Sequence, residues 1–512
     1  MRTTTLIPLV TLAMHLHGQA GLLDNTFSGD GKATFAGTGD TYFTAVVIQP
    51  NGKVVAVGST GTSNVDFLVV RFNSNGTLDT SFDGDGYATK GLPGEDRASC
   101  VALQGDGKIL VGGYYTVGAN RYMAIVRLNA DGTPDTGFGL NGQNFIAFDQ
   151  ESPTYAEGLG IAVQADGRIV VCGSTGDATD QDADLALARF DADGSIDSGF
   201  GSEGKVTDDV GTVNNSGNVV AVDNNGRLVI AGNTGSGNQS CVVHRFLTDG
   251  EPDAAFNGGH FSFDIVSGAD HALHGMVLQP NGSVLVAGSC GGQFGATMLN
   301  ANGYWDGSFG AEGKVQLVSP ENGAQGYALC KQADGKFLIA GTYEHSGAPS
   351  DLCLARMNGD GSIDASFGTN GWAYYDIEGL VDDGRGMALQ SDGKVVVVGT
   401  DNSVPKKGSV IRVLNDVGIG MSEARTPALS VSAFPDPATD HISLRYTLRA
   451  QDRVSGRILD ATGRPVRAVF AQAQRIPGTH TERVDLDGLA CGGYLLELRT
   501  DQGVVRTPFI KQ

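Results

Sequence analysis

The 512 residues are 40% hydrophobic, 18% charged and unusually rich in glycine, with 76 of them. This composition excludes a disordered chain and favours many short strands joined by tight turns over helices. Charge is uneven: residues 419–512 hold 12 Lys and Arg against 10 Asp and Glu, which leaves 22 against 47, a net of −25, for residues 21–418. So acidic a surface repels phosphate backbones and argues against nucleic acid as a partner.

The chain opens with "MRTTTLIPLVTLAMHLHGQA". One cation at Arg2, an apolar run from Leu6 to Met14 and the small residues Gly18 and Ala20 predict a secretory signal over 1–20, cleaved after Ala20. No other run approaches the ~20 apolar residues of a membrane-spanning helix, so none is expected.

From residue 21 to 418 one sentence recurs. Its D-x-x-F core stands at Asp24 and Phe27, Asp79 and Phe82, Asp135 and Phe138, Asp197 and Phe200, Asp253 and Phe256, Asp306 and Phe309, and Asp364 and Phe367. Successive aspartates are 53 to 62 residues apart. Each unit carries an Asn-Gly or Asp-Gly pair between β-rich runs, as at Asn51-Gly52 and Asp392-Gly393, a strong hairpin signal because both residues tolerate positive φ. In the first unit "FTAVVIQP", "KVVAVGST" and "DFLVVRF" read as three strands, and the weaker "GKATFAG" as a fourth that opens the unit. One small antiparallel sheet cannot bury both faces, so copies must stack. Radial stacking gives an all-β, seven-bladed β-propeller with four-stranded blades, and an open β-solenoid is the alternative.

The repeated Phe is expected to wedge between neighbouring sheets and the repeated Asp to cap its turn through backbone N–H groups. An arginine recurs at Arg71, Arg127, Arg189, Arg245, Arg356 and Arg412, with Met298 in the fifth unit. Its expected partner is the turn aspartate, because a unique ligand site does not need the same residue in every blade.

The segment "DFLVVRFNSNGTLDTSFDGDGYAT" and its copies resemble the delta-60 repeat family of bacterial surface and secreted proteins. The resemblance covers about 21–418 and implies a propeller-like fold without implying a chemistry.

Residues 419–430 read as a linker, and 431–512 as alternating strands between Gly, Pro and Asp turns, enough for a small Ig-like β-sandwich. This region resembles the type A sorting domain of the type IX secretion system of Bacteroidetes. The matching positions are Pro435, Pro437, Asp440, Asp460, Gly463, Arg464, Asp485, Leu486, Leu489, Gly492, Tyr494 and Lys511. It departs from that pattern at Cys491 and at the final Gln512. The resemblance implies passage of the outer membrane by the type IX machinery and a secreted or outer-membrane-surface location.

Seven scattered cysteines form no C-x-x-C pair, and no bridge is expected. No H-E-x-x-H, G-x-S-x-G, P-loop or Rossmann glycine pattern occurs. His271 and His274 make only a loose pair and are read as part of a solvated loop, not a zinc site. Asp177, Asp180, Asp182 and Asp184 alternate in a lengthened loop, a pattern that suits either a solvated acidic segment or a calcium site. "NADGTPD" and "DADGSID" are similar to the aspartate boxes of sialidase propellers but lack the closing tryptophan, for which Trp305 is the nearest candidate.

The expected protein is therefore a monomeric, non-enzymatic binding or scaffold propeller with no cofactor, whose ligand is a surface protein or polysaccharide. Its binding residues are expected in the variable segments 149–157, 177–184 and 343–350. The alternative is an extracellular hydrolase or lyase acting on polysaccharide or peptide, which requires non-repeated carboxylates and aromatics clustered at one mouth of the channel.

Overall fold

The computed structural model describes residues 20–512 except 92–93, 149–153, 178–182, 211–213, 321–322, 380, 416–428, 435–437, 449–450, 461–463, 491, 501–502 and 512. Two compact units divide the chain, Met1–Gly418 and Ile419–Gln512.

The first unit contains seven four-stranded antiparallel sheets. Blade 1 runs Asp40–Ile48, Val54–Gly61, Val65–Phe72 and Tyr87–Lys90, each strand paired to the next. Its second strand, VVAVGSTG, is buried along its whole length, whereas the innermost strand alternates buried and half-buried residues, as befits a strand with one face toward the channel. Blades 2 to 6 repeat this order.

The short opening strand corrects the sequence reading. Lys32–Phe35 does not join blade 1: it pairs antiparallel with Lys407–Val413 as the outer strand of blade 7, beside Val395–Asp401 and Asp382–Leu389. Each weak strand thus completes the blade before it, and the two ends of the repeat region meet in one sheet. The first strands of blades 7 and 1 also pack together, as do those of every other neighbouring pair. Seven buried apolar clusters fill the seven spaces between adjacent blades, with Phe27, Phe43, Val54, Val396 and Val410 in the one that joins blades 7 and 1. The ring is closed, which excludes the solenoid.

Every innermost strand carries a one-residue bulge, at Thr44, Ser99, Leu159, Asn218, His274, Tyr327 and Arg385. Opposite it, the second strand always presents a glycine, such as Gly58 or Gly399. A Cβ on Gly58 would lie 1.8 Å from the carbonyl oxygen of Tyr42, and one on Gly399 equally close to that of Asp383. The bulge and the glycine are one device, because the bulged backbone leaves no room for a side chain.

The second unit packs a three-stranded sheet (Leu429–Phe434, His441–Leu448, Gly478–Asp485) with a four-stranded one (Pro465–Arg475, Asp452–Asp460, Gly492–Thr500, Gly503–Lys511). Ile442, Leu444, Tyr446, Val454, Ile458, Leu496, Leu498 and Phe509 form its core. Its first strand begins at Leu429, inside the stretch read as linker.

Candidate functional site

Antiparallel order puts the Asn-Gly and Asp-Gly hairpins and the D-x-x-F turns at one face of the propeller and the remaining connections at the other. The first face is structural. In blade 1, Arg71 Nε donates to Asp79 Oδ2 at 2.6 Å, its Nη1 donates to the Ala130 carbonyl of blade 2 at 2.5 Å, and its guanidinium covers the Phe82 ring at 4.6 Å. The same Nε to Oδ2 bond joins Arg127 to Asp135, Arg189 to Asp197, Arg245 to Asp253 and Arg356 to Asp364, and Arg412 of blade 7 to Asp24 at the start of the chain. The other aspartate oxygen caps the turn, as Asp364 Oδ1 does for Ser366 N at 3.2 Å and Asp306 Oδ1 for Ser308 N at 3.0 Å.

The seven phenylalanines of the repeat are closed to solvent. Phe82 lies against Gly132 of the next blade (φ 96°), where a Cβ would meet its ring at 2.9 Å. Phe138, Phe200, Phe256 and Phe309 are buried in the same way, each in the apolar cluster between its own blade and the next. Each rests on a glycine of the following unit, Gly194, Gly250, Gly303 and Gly361 in turn, and a Cβ on any of these would approach the ring to 3.0 Å or less. Arginines cover three of the four rings: Arg127 lies 4.2 Å over Phe138, Arg189 4.4 Å over Phe200 and Arg245 4.6 Å over Phe256. Phe309 is the exception, because its unit has Met298 where the others have arginine. These rings pack blades together and face no ligand.

Sequence reading missed a second cation on the turn carboxylate. Lys53, Lys108, Arg168, Arg227, Lys336 and Lys394, each just after a hairpin glycine, reach Asp79, Asp135, Asp197, Asp253, Asp364 and Asp24 at 2.7 to 3.2 Å. The signal was there: the fifth unit, with Met298 in place of arginine, also has Ser283 in place of this cation. Burial alone would raise the Asp24 carboxyl, but hydrogen bonds from Thr26 and Lys394 and the charge of Arg412 outweigh it and hold the group at about 2. The same balance takes Asp79 and Asp364 well below the usual carboxylate range.

The opposite face carries side chains that do not repeat. Across blades 1 to 3, Arg121 covers Tyr114 at 4.1 Å and Tyr155 at 4.3 Å and pairs with Glu157 at 3.2 Å, while Arg97 pairs with Glu95 at 2.6 Å. Tyr42 is capped by Lys406 at 5.0 Å. Across blades 5 to 7, the bulge residues touch one another: the His274 and Tyr327 rings are 5.4 Å apart, and Arg385 lies 4.0 Å over Tyr327 while bonding Asp383 at 3.0 Å. Burial, and after it the charge of Arg385, lowers His274 to about 4, so the imidazole is neutral near pH 7. His271 serves a different purpose: its Nε2 accepts the Ile265 and Val266 N–H groups, so the two histidines do not form one site.

This arrangement sets a pH dependence. His274 has a folded value below its unfolded one, so its contribution to stability is present above about 6.5 and is lost as pH falls toward about 4. Urea unfolding of His274→Gln across that window is expected to show a flatter decline than the parent; equal slopes would contradict the assignment.

Five segments, 49–82, 104–138, 164–200, 224–256 and 332–367, match the family described as "Domain of unknown function (DUF5122) beta-propeller", and 432–512 match "Secretion system C-terminal sorting domain". The chain carries DUF5122 β-propeller repeats followed by a secretion-system sorting domain. The matched segments run from the hairpin to the wedge phenylalanine. The fifth unit of the ring, which lacks both cations, is not among them, nor is the seventh, whose Asp24 and Phe27 stand at the other end of the repeat region.

No curated protein matches the chain. Among solved structures, a protein of unknown function from Dyadobacter fermentans is similar at 13% identity over 75% of this chain and 98% of its own, with a TM-score of 0.40. The polysaccharide lyase Uly1 is similar at 12% identity over 79% and 94%, TM-score 0.41. The β-propeller domain of the Trilobed protease from Pyrococcus furiosus is similar at 8% identity over 73% and 94%, TM-score 0.37.

In the sorting domain, several motif positions gather through strand register. Asp460 stands opposite Tyr494 and Gly492 opposite Lys511. The Leu486 N–H donates to the Asp440 carbonyl, Leu489 closes the turn onto Leu486, and the Tyr494 hydroxyl donates to the Ala490 carbonyl. Arg467, which the motif reading passed over, donates to the Asp485 carbonyl at 2.7 Å. Asp485 and Arg464 are exposed. Pro435, Pro437 and Gly463 lie outside the described residues, as do Asp180 and Asp182 of the lengthened loop; Asp184 begins the third strand of blade 3. The six described cysteines are free thiols.

Proposed function

We propose that the DUF5122 propeller is a non-enzymatic binding module, displayed outside the cell after export under the 1–20 signal and the sorting domain, and that it takes a polysaccharide or protein segment at the mouth lined by Tyr42, Arg97, Tyr114, Arg121, Tyr155 and Glu157. The observation that carries this reading is the division of labour between the two faces. Repeated residues are committed to joining blades, while the opposite mouth mixes tyrosine rings with arginines, groups that stack on sugars and peptide planes and hydrogen-bond their polar edges.

The carboxylates of this mouth argue for binding rather than hydrolysis. Glu95, Glu157 and Asp383 are each tied to an arginine, so the mouth presents carboxylate–guanidinium pairs where glycoside cleavage needs two carboxyl groups flanking the scissile bond. One observation favours a lyase as the second reading: a neutral histidine beside a tyrosine and an arginine offers a base and a charge-neutralising group for proton abstraction next to a carboxylate.

Titration of the full chain with a panel of extracellular polysaccharides and peptides tests both. Binding without turnover, weakened tenfold or more by Arg121→Ala with unfolding unchanged, is the expected result. Release of unsaturated product that disappears in His274→Gln would replace the binding reading with the lyase.

A further inference from the structure

The connection from blade 6 to blade 7 brings three carboxylates together. Asp351 begins the third strand of blade 6, Asp376 follows its last strand, and Asp382 begins the innermost strand of blade 7. One carboxylate oxygen from each lies within 4.8 Å of the others. Calcium binds oxygen at about 2.4 Å, so oxygens on opposite sides of one ion are about 4.8 Å apart. A fourth carboxylate, Asp401, stands directly opposite Asp382 in the blade 7 sheet.

The independent observation is the state of the buried oxygens. Asp382 is fully buried; its Oδ2 accepts the Ile377 N–H at 2.7 Å, but its Oδ1, shut off from solvent, meets no hydrogen-bond donor. Asp401 is equally buried, with Ser403 N–H on Oδ1 and no donor on Oδ2. Buried carboxylates left in this condition are costly, and at the D-x-x-F turns this protein supplies two cations for one such group. Here the cation beside Asp401 is Lys407, which stands 4.0 Å away and is shared with Glu378. His345 holds Asp351 at 2.8 Å, orienting it as an outer partner orients a metal ligand.

We propose that Asp351, Asp376 and Asp382 form a calcium site that ties blade 6 to blade 7, with Asp401 adding negative charge behind it. The donors are all hard oxygens, which select calcium over softer transition metals. Three ligands drawn from three strand ends of two blades make the ion a cross-link at a ring interface. The site is separate from the 177–184 segment, which belongs to blade 3.

Isothermal titration of the full chain with CaCl2 after chelator treatment, paired with thermal unfolding in CaCl2, MgCl2 and chelator, tests the proposal. Asp376 is exposed on its loop, so Asp376→Asn keeps the fold and removes one of the negative charges that would hold the ion. The expected result is one calcium per chain, a calcium-dependent rise in Tm, and a tenfold or greater loss of affinity in Asp376→Asn and in Asp351→Asn. Absence of both heat and Tm shift would overturn the site, and so would a calcium that both variants retain at full affinity, which would place the ion elsewhere in the chain.

Discussion

Arg356→Ala is expected to destabilise the propeller by about 3–5 kcal/mol, the range for removing one partner of a buried ion pair. Arg356 is fully buried; its Nε holds Asp364 at 2.7 Å, its Nη1 reaches Asn415 Oδ1 at 2.8 Å and its plane covers Phe367. Alanine would leave Asp364 with Lys336 as its one remaining cation and would uncover the wedge ring. Asp306→Asn in the fifth unit provides the internal control, because Met298 and Ser283 have already removed both cations there; its expected cost is about 1 kcal/mol or less. Urea unfolding compares the two. Equal losses would show that the arginine is a passenger on a fold held by packing alone. The same ion pairs predict an acid limit. Asp24, Asp79 and Asp364 have folded values below the unfolded carboxylate value, so the stability they add is present above about pH 4 and drains away as pH falls through about 2.

Removing residues 21–36 is expected to have the larger effect, loss of a cooperatively folded, closed propeller. The deletion takes away the outer strand of blade 7, the Asp24 partner of Arg412 and the Phe27 wedge, and it leaves Lys407–Val413 as a bare sheet edge beside an opened apolar core. Phe27→Ala is the milder form, with an expected cost of about 3–5 kcal/mol for a large ring deleted from a closed core. Circular dichroism melts and light scattering read both. A deleted chain that melts as sharply and at the same temperature as the parent would show that ring closure does not depend on this strand.

Much of the structural half of the molecule was legible because its signals are local. An Asp-Gly between β-rich runs forces a hairpin wherever it occurs, and a Phe three residues after an Asp recurs only if each copy meets the same neighbour. Phe138, Phe200, Phe256 and Phe309 all meet such a neighbour, a glycine of the next unit, although which glycine it is could not be read from the spacing. The Arg-to-Asp partnership could be anticipated from its constant separation, Arg71 to Asp79 and Arg356 to Asp364, across a single turn. The candidate binding mouth was not legible in this way. Tyr42 and Arg97 come from two blades, and nothing in their own segments distinguishes them from other half-buried strand residues, whereas Tyr155 and Glu157 fall within the variable segment 149–157. The expectation that binding residues sit in variable connections pointed to the face opposite the repeated turns, yet many of the side chains found there belong to the innermost strands instead. Asp382 illustrates the same limit: beside Asp383 it reads as one more solvated acid, whereas in the fold it is wholly buried opposite Asp401.

The sequence by itself determined the repeat, its strand content, the turn chemistry and the point where the repeat stops, because each of these follows from spacing within about 60 residues. Only the tertiary structure decided which sheet the first strand completes, which side chains from separate blades share the mouth, and where carboxylates of two blades are buried together. Those outcomes depend on how the blades pack and on the closure of the ring: closure brings residue 24 to residue 412, and the packing of blade 6 on blade 7 brings residue 351 to residue 382. Closure is a long-range condition, set by the number of blades and the wedge between them, and no single segment encodes it.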